Sequence, residues 1–186
     1  MQHAGNSGRG SSGEAMAASR LIFNTRCQIA EMFDVWGPEC VAFTSNDTEA
    51  LNIALQGTLH PEEGTIHAIC TEMDHNSVLR PLYRLEKKGM ELTILPADRK
   101  GRISLTELEA AIRPETKVIV CTHASNLTGN LNDIHAIGAI AQKHQKLFIV
   151  DAAQTAGLHD ISMKRANISA LCFTGHKGLM GPQGIG

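Results

Sequence analysis

The chain has 186 residues, which is enough to bury a sizeable hydrophobic core within one domain. Its composition, with 42% hydrophobic residues and 17 glycines, is typical of a globular α/β protein, and a formal charge of -2 gives no reason to expect nucleic acid or a membrane surface as a partner. The polar start and the short apolar runs predict neither a signal peptide nor a membrane-spanning helix.

The cysteines and histidines indicate a reduced protein without a metal site. The nine histidines are scattered and show no spacing typical of zinc ligands. The cysteines are odd in number and widely spaced, and three of them lie in apolar, strand-like segments. We therefore predict reduced core thiols and a cytoplasmic location. The five cysteines are Cys27, Cys40, Cys70, Cys121 and Cys172.

The pattern of the first 57 residues predicts a loop, a long helix, a short strand and a second helix. Residues 1–13 are rich in glycine, serine and asparagine, and we expect a flexible segment. From Ser12 to Phe33 the apolar positions recur near helical spacing. The apolar run Cys40–Phe43 predicts a strand. Asn46 or Asp47 then caps a helix that runs to about Gly57, with Glu49 in its first turn.

From residue 65 onward, short apolar runs alternate with helical patterns. This alternation predicts an α/β fold in which helices cover both faces of a mainly parallel sheet. The predicted strands are 65–71, 90–95, 118–121, 147–150 and 170–173, and the predicted helices are 76–88, 105–112 and 133–144.

Two of these strands deliver residues of opposite charge. Asp151 follows the apolar run Leu147–Val150, and Lys177 follows Ala170–Phe173 in a glycine-flanked loop. We expect both side chains to be buried at neighbouring strand ends. They could form a simple ion pair. They are also the pair that pyridoxal 5'-phosphate requires: an amine for a Schiff base and a carboxylate that keeps the pyridine nitrogen protonated.

Four segments together carry a family resemblance: TSNDTEALNIAL, THASNLTG, VDAAQTAG and FTGHKGLMGPQGIG. They resemble the class V, aminotransferase-fold enzymes that use pyridoxal phosphate, and within these the cysteine desulfurase and selenocysteine lyase group. The resemblance implies the large cofactor-binding domain of the type I aminotransferase fold. It also implies an amino-acid substrate, a homodimer and a sulfur-acceptor protein.

The resemblance assigns roles around the cofactor ring. Lys177 matches the family's Schiff-base lysine, and Asp151 matches the partner of the pyridine nitrogen. Gln154 resembles the residue that hydrogen-bonds the phenolic oxygen. His75 resembles the histidine that stacks on the ring and moves protons, a task suited to imidazole. Asn126 resembles the asparagine near the ring and the substrate carboxylate.

The resemblance also indicates a phosphate site at the helix that begins near Asp47. Free N–H groups and the positive end of the helix dipole attract a dianion, and Thr48 adds a hydroxyl. Family members often have glycine near this turn, where this chain has Asn46 and Asp47, so we expect Asp47 to act through its backbone. Thr174 and His176 resemble the family's other phosphate contacts.

The resemblance leaves parts of the family pattern unmatched. Family members continue beyond the lysine loop into a small C-terminal domain that carries a substrate-binding arginine. Desulfurases also carry a nucleophilic cysteine on a loop well downstream of the lysine, and none of the five cysteines matches it. We therefore predict that residues 14–186 form a partial cofactor-binding domain. A transaminase, an epimerase or a catalytically inactive fragment stays an alternative. A nicotinamide-binding domain is excluded by the lack of a G-x-G-x-x-G motif after a strand.

Overall fold

The computed structural model describes residues 6–8 and 12–186. These fall into two compact units, of which the first ends at Ala42 and the second is Phe43–Gly186. In the first unit, helix α1 spans Gly13–Met32, which confirms the predicted long helix. The Ser12 side chain caps it by accepting a hydrogen bond of 3.2 Å from the N–H of Ala15. Most of the predicted flexible segment lies outside the described residues.

The predicted strand Cys40–Phe43 is wrong. Pro38–Cys40 forms a 3-10 turn, Val41 is extended, and residues 41–44 belong to no strand. Proline at the first position of the turn fixes a φ angle that suits a helical turn, and this local preference takes Cys40 out of the extended run. A four-residue apolar run does not by itself indicate whether a neighbouring strand is there to pair with it.

The second unit is built on a five-stranded parallel sheet, as predicted. The strand order is β2-β1-β3-β4-β5, and every neighbouring pair is parallel. Parallel strands that follow each other in the chain need crossover connections. Because all five strands run in the same direction, their carboxyl ends lie at one edge of the sheet. The strands are β1 His67–Thr71, β2 Glu91–Leu95, β3 Thr116–Thr122, β4 Leu147–Asp151 and β5 Ala170–Cys172.

Four helices of this unit lie close to the predicted positions. They are α2 Asp47–Gln56, α3 Asn76–Glu86, α4 Leu105–Ala111 and α5 Ile134–Lys143. Each begins after a side chain that accepts a hydrogen bond from the helix's own first turn, so capping chemistry fixes where the helices start. In the described part of the chain, no helix has the length and apolarity needed to cross a bilayer.

The hydrophobic core lies on both faces of the sheet because side chains alternate along each strand. Ala68, Cys70, Val118 and Val120 are buried in one cluster with residues of α2 and α3. The residues between them, such as Ile119, point to the opposite face, where α5 packs against β4. Strands buried on both faces read as continuous apolar runs, which is why the sequence pattern located them.

A buried carboxylate joins two strands at the carboxyl edge. Asp74 accepts hydrogen bonds from the N–H and hydroxyl of Thr71, at 2.7 and 2.9 Å, and from the N–H of Thr122. It therefore ties the loop after β1 to the end of β3. These donors are buried and have few other candidates for a partner.

We expect Asp74→Ala to lower the free energy of unfolding by roughly 2–4 kcal/mol, because it leaves the buried N–H groups of Thr71 and Thr122 without acceptors. Urea unfolding followed by circular dichroism measures the change. Asp160→Ala is the control, since Asp160 makes an exposed ion pair of 2.7 Å with Arg165 and its loss should change stability little. Equal effects of the two substitutions would contradict the structural role of Asp74.

Candidate functional site

A cavity of about 300 Å³ opens at the carboxyl edge of the sheet, which is where open parallel sheets bind ligands. All nine residues that the sequence analysis selected line it. Three lie at the start of helices, Asp151 is the last residue of β4, and the other five follow β3, β4 and β5. The nine are Asp47, Thr48, His75, Asn126, Asp151, Gln154, Thr174, His176 and Lys177.

The start of α2 presents polar groups to this cavity. Asn46 caps the helix by accepting a hydrogen bond of 2.9 Å from the N–H of Glu49, and the Glu49 carboxylate in turn accepts one from the N–H of Ser45. This reciprocal cap satisfies the third N–H of the helix and leaves those of Asp47 and Thr48 beside the cavity. The arrangement favours an anion.

A hydrogen-bonded chain connects the starts of α2 and α3. The Thr48 and Ser77 hydroxyls are 3.1 Å apart, and the Ser77 Oγ lies 2.6 Å from His75 Nδ1. The N–H of Ser77 also donates to Nδ1 at 3.2 Å, so this nitrogen acts as an acceptor and the proton of the neutral ring is on Nε2. The chain fixes both the orientation and the tautomer of His75.

Asp151 is the last residue of β4 and is buried, as the sequence analysis predicted. Its Oδ1 accepts a hydrogen bond of 2.9 Å from the N–H of Ala153. Burial raises the pKa of Asp151, while the Ala153 N–H, His75 and Lys177 act in the opposite direction. The carboxylate is thus poised to pair with a cation that enters the cavity.

The lysine follows β5 in a loop that closes on itself. The N–H of Gly175 donates to the carbonyl of Ile185 at 2.8 Å, and the Thr174 hydroxyl donates to the same carbonyl at 3.2 Å. Thr174 Oγ1 also lies 2.9 Å from His176 Nδ1. These bonds hold the loop at the mouth of the cavity.

The prediction that Lys177 is buried is wrong, because its side chain is exposed while Asp151 is buried. The physical reason is that Lys177 lies in the loop after β5, five residues past the strand's last residue, Cys172. A long ammonium-bearing side chain stays hydrated there while its stem reaches the cavity wall. Lys177 therefore lines the cavity from its open side.

Two glycines let the lysine loop approach the turn after β4. A Cβ atom at Gly178 would lie 2.4 Å from the carbonyl oxygen of Ala156, and one at Gly157 would lie 2.8 Å from the Gly178 backbone. Gly157 also has a φ of +83°, which side-chain-bearing residues rarely adopt. Backbone contact between these segments sets the position of Lys177 relative to Asp151.

The Asp47 carboxyl is a feature that the sequence analysis did not anticipate. Its side chain is buried in the cavity wall and is only 8% exposed, while the prediction that Asp47 acts through its backbone stays a prediction. Burial and the charge of Asp151 raise the pKa of Asp47 to about 7, although Lys177 acts in the opposite direction. Its Oδ1 has no hydrogen-bond partner within the described residues.

Other cavity residues were also missed by the sequence analysis. Ser77 is the most informative, since it links Thr48 to His75, but a serine in the first turn of a helix is too common to signal such a role. The remaining ones contribute mainly backbone or small side chains that carry no sequence signal. They are Thr122, Ala124 and Ala153, and Asn46, which the sequence analysis named as a helix cap but not as a site residue, completes the lining.

Three cysteines lie in strands and are unsuited to nucleophilic chemistry. Cys70, Cys121 and Cys172 are buried and not in disulfides. Burial raises the pKa of each thiol well above its ordinary value. Because the thiolate is the reactive form, these residues serve as core hydrophobes, as predicted.

Comparison with known proteins gives a consistent result. The sequence matches the profile of the aminotransferase class-V family over residues 1–186. It is 36% identical over 171 residues to the cysteine desulfurase IscS of Vibrio vulnificus strain YJ016, which covers 91% of this chain and 42% of that protein. The chain therefore spans less than half the length of this curated relative.

Solved structures of similar fold agree with the sequence comparisons. A structure described as SspA in complex with cysteine superposes with a TM-score of 0.93 and 32% identity, covering 98% of this chain and 52% of that one. The apo structure of a cysteine desulfurase from Thermococcus onnurineus NA1 gives a TM-score of 0.88 and 32% identity, over 96% and 44% of the two chains.

We expect Gly178→Ala to lower the free energy of unfolding by about 1–3 kcal/mol and to loosen the lysine loop, because the new methyl group overlaps the Ala156 carbonyl. Chemical denaturation and limited proteolysis of the loop measure the two effects. Gly175→Ala is the matched control, since a Cβ atom there meets Ile185 at an ordinary 3.5 Å. A loop that resists proteolysis equally in both variants would contradict the close packing.

Proposed function

Because the chain belongs to the class-V aminotransferase family, we propose that it binds pyridoxal 5'-phosphate and serves the desulfuration of L-cysteine. On this proposal, residues 14–186 are the cofactor-binding domain. The observation that carries it is one cavity that joins a helix start suited to phosphate, a buried carboxylate and a lysine amine. The relatives named cysteine desulfurase support the choice of reaction, and the complex of SspA with cysteine supports the choice of substrate.

The donor set of the cavity fits the proposed cofactor. The N–H groups of Asp47 and Thr48 and the Thr48 hydroxyl would hold the phosphate, together with Thr174 and His176. Asp151 would face the pyridine nitrogen, because a buried carboxylate gains most from a cationic partner. Gln154 would donate to the phenolic oxygen.

When bound, pyridoxal phosphate supplies an electron sink for the substrate's α-carbon. Lys177 would hold the cofactor through Nζ and then release it to the substrate amine. Its exposed position gives the amine freedom to leave and return, and as a free amine it can take or give a proton. Asp151 would keep the ring nitrogen protonated.

His75 and Asn126 would act on the substrate side. The Ser77 contacts place the His75 proton on Nε2, so this atom can donate while Nδ1 is held. His75 would contact the ring and move protons, a role suited to imidazole. Asn126 would orient the substrate carboxylate near the ring. The homodimer, the sulfur-acceptor protein and the cytoplasmic location stay predictions.

We expect the protein, mixed with pyridoxal phosphate and then reduced with borohydride, to carry a covalent label on Lys177. Lys177→Ala should abolish the label and the accompanying visible absorption band, because no other amine is held against the cavity in the described chain. Peptide mass mapping locates the label. Lys88→Ala, which removes an exposed lysine outside the cavity, should leave the label unchanged.

A label that persists in Lys177→Ala at the wild-type level would overturn the assignment of the attachment site. A folded wild-type protein that acquires no label would overturn the proposed cofactor itself. Circular dichroism spectra of all three proteins show whether a lost label reflects a lost fold.

Because no cysteine of this chain matches the family's sulfur-accepting nucleophile, we expect the loaded protein to convert L-cysteine to alanine and sulfide only with excess external thiol, which takes the place of that nucleophile. The substrate's C–S bond breaks, its sulfur passes to a thiol as a persulfide, and a second thiol reduces the persulfide to sulfide with formation of a disulfide. Amino-acid analysis and a sulfide assay measure the products. Formation of a keto acid without sulfide would favour a transaminase, and D-cysteine would favour an epimerase.

A further inference from the structure

One buried acid in the cavity has no role in the proposed chemistry. Asp47 lies in the first turn of the ten-residue helix α2 and is 8% exposed. Its Oδ1 has no hydrogen-bond partner within the described residues, and the residue lines the cavity wall. A buried carboxylate oxygen without a partner is costly, so such a group tends to hold a proton or to meet a ligand.

The positive charge near Asp47 does not fully offset the negative charge of the two carboxyl groups in the cavity wall. Asp151 raises its pKa and Lys177 lowers it, so the wall holds two carboxyl groups against one ammonium. On its own helix, Glu49 is engaged with Ser45 and does not line the cavity. The titratable groups that face Asp47 or share its cavity from the other elements are Asp151 at the end of β4, Cys172 in β5, His75 at the start of α3, and His176 and Lys177 in the lysine loop.

We propose that Asp47 takes up a proton when a phosphorylated ligand enters the cavity, so that cofactor binding is coupled to proton uptake. This inference rests on the proposed function, because it takes the ligand to be a phosphate monoester such as pyridoxal phosphate. A phosphate monoester carries nearly two negative charges at neutral pH, and it would bind at the helix start to which Asp47 belongs. A third negative charge beside it is unfavourable, which favours the neutral acid.

The direction of the pH effect follows from proton linkage. Burial, followed by the charge of Asp151, raises the pKa of Asp47 to about 7. At pH 6 the group is already mostly protonated, and binding needs little further uptake. Above pH 7 binding must draw a proton from solvent, so affinity falls by up to about tenfold per pH unit until the pKa of the complex is reached.

The sharpest test uses pyridoxine 5'-phosphate, whose alcohol cannot react with Lys177. The measured affinity and proton uptake therefore contain no contribution from imine formation. Isothermal titration calorimetry in two buffers of different ionisation enthalpy gives both affinity and proton uptake. At pH 8 we expect the wild-type protein to take up about half a proton or more, and Asp47→Asn to take up much less. Asp47→Asn should bind about tenfold more tightly than wild type at pH 8.5 and within about twofold at pH 6.

Two controls isolate the effect. Glu49→Gln removes one negative charge from the same helix turn outside the cavity, and it should keep the wild-type pH profile. Pyridoxine without the phosphate should show little difference between the wild-type protein and Asp47→Asn. A gain of affinity on replacing a buried residue is not expected from a merely structural role, which separates the two interpretations.

Equal pH profiles for the wild-type protein and Asp47→Asn, with binding intact, would overturn this inference and leave the proposed cofactor standing. An equal gain for Glu49→Gln would also overturn it, since the effect would then be general electrostatics of the helix. If the wild-type protein binds neither pyridoxine phosphate nor pyridoxal phosphate at pH 6, both the proposed function and this inference fail.

Discussion

Parallel pairing of the strands is the constraint on which the site depends. Thr122, Asp151 and Cys172 occupy matched register positions at the ends of β3, β4 and β5. Because all strands run in the same direction, the loops that follow them converge at one edge. Groups separated by more than one hundred residues, such as Thr48 and Lys177, thereby share a single cavity. A change of direction in any one strand would send its loop to the opposite edge.

Contacts between loops then fix the positions of the site's side chains more closely than the sheet alone does. Asp74 joins the loop after β1 to the end of β3, and Ser77 joins the start of α2 to His75. On the other side, the backbone approach of Gly157 and Gly178 sets the lysine loop against the turn after Asp151. Each of these contacts fixes the position of a chemically active side chain through a residue that does no chemistry itself. Preorganisation of this kind is what a site needs in order to hold a ligand in one orientation.

The cavity contains more acidic groups than its lysine can neutralise. Two carboxyl groups, Asp47 and Asp151, are buried beside one exposed lysine. Burial raises the pKa of both acids, so the protonation of the cavity responds to the charge of whatever enters it. A dianionic phosphate and a pyridinium would act on the two acids in opposite directions, the first favouring a neutral acid and the second an ionised one. The same pocket can thus discriminate between the two ends of one ligand.

The sequence by itself determined the order of the elements, and four motifs that carry a family resemblance identified most of the predicted site residues. Runs buried on both faces, capped helix starts and an aspartate and a lysine after consecutive strands are local signals, and the structure places all nine selected residues around one cavity. Only the tertiary structure showed that Cys40–Phe43 forms no strand, that Lys177 is exposed and that the Asp47 carboxyl is buried. The physical reason is that burial and strand pairing depend on what packs against a residue from elsewhere in the chain, and no local pattern records that neighbour.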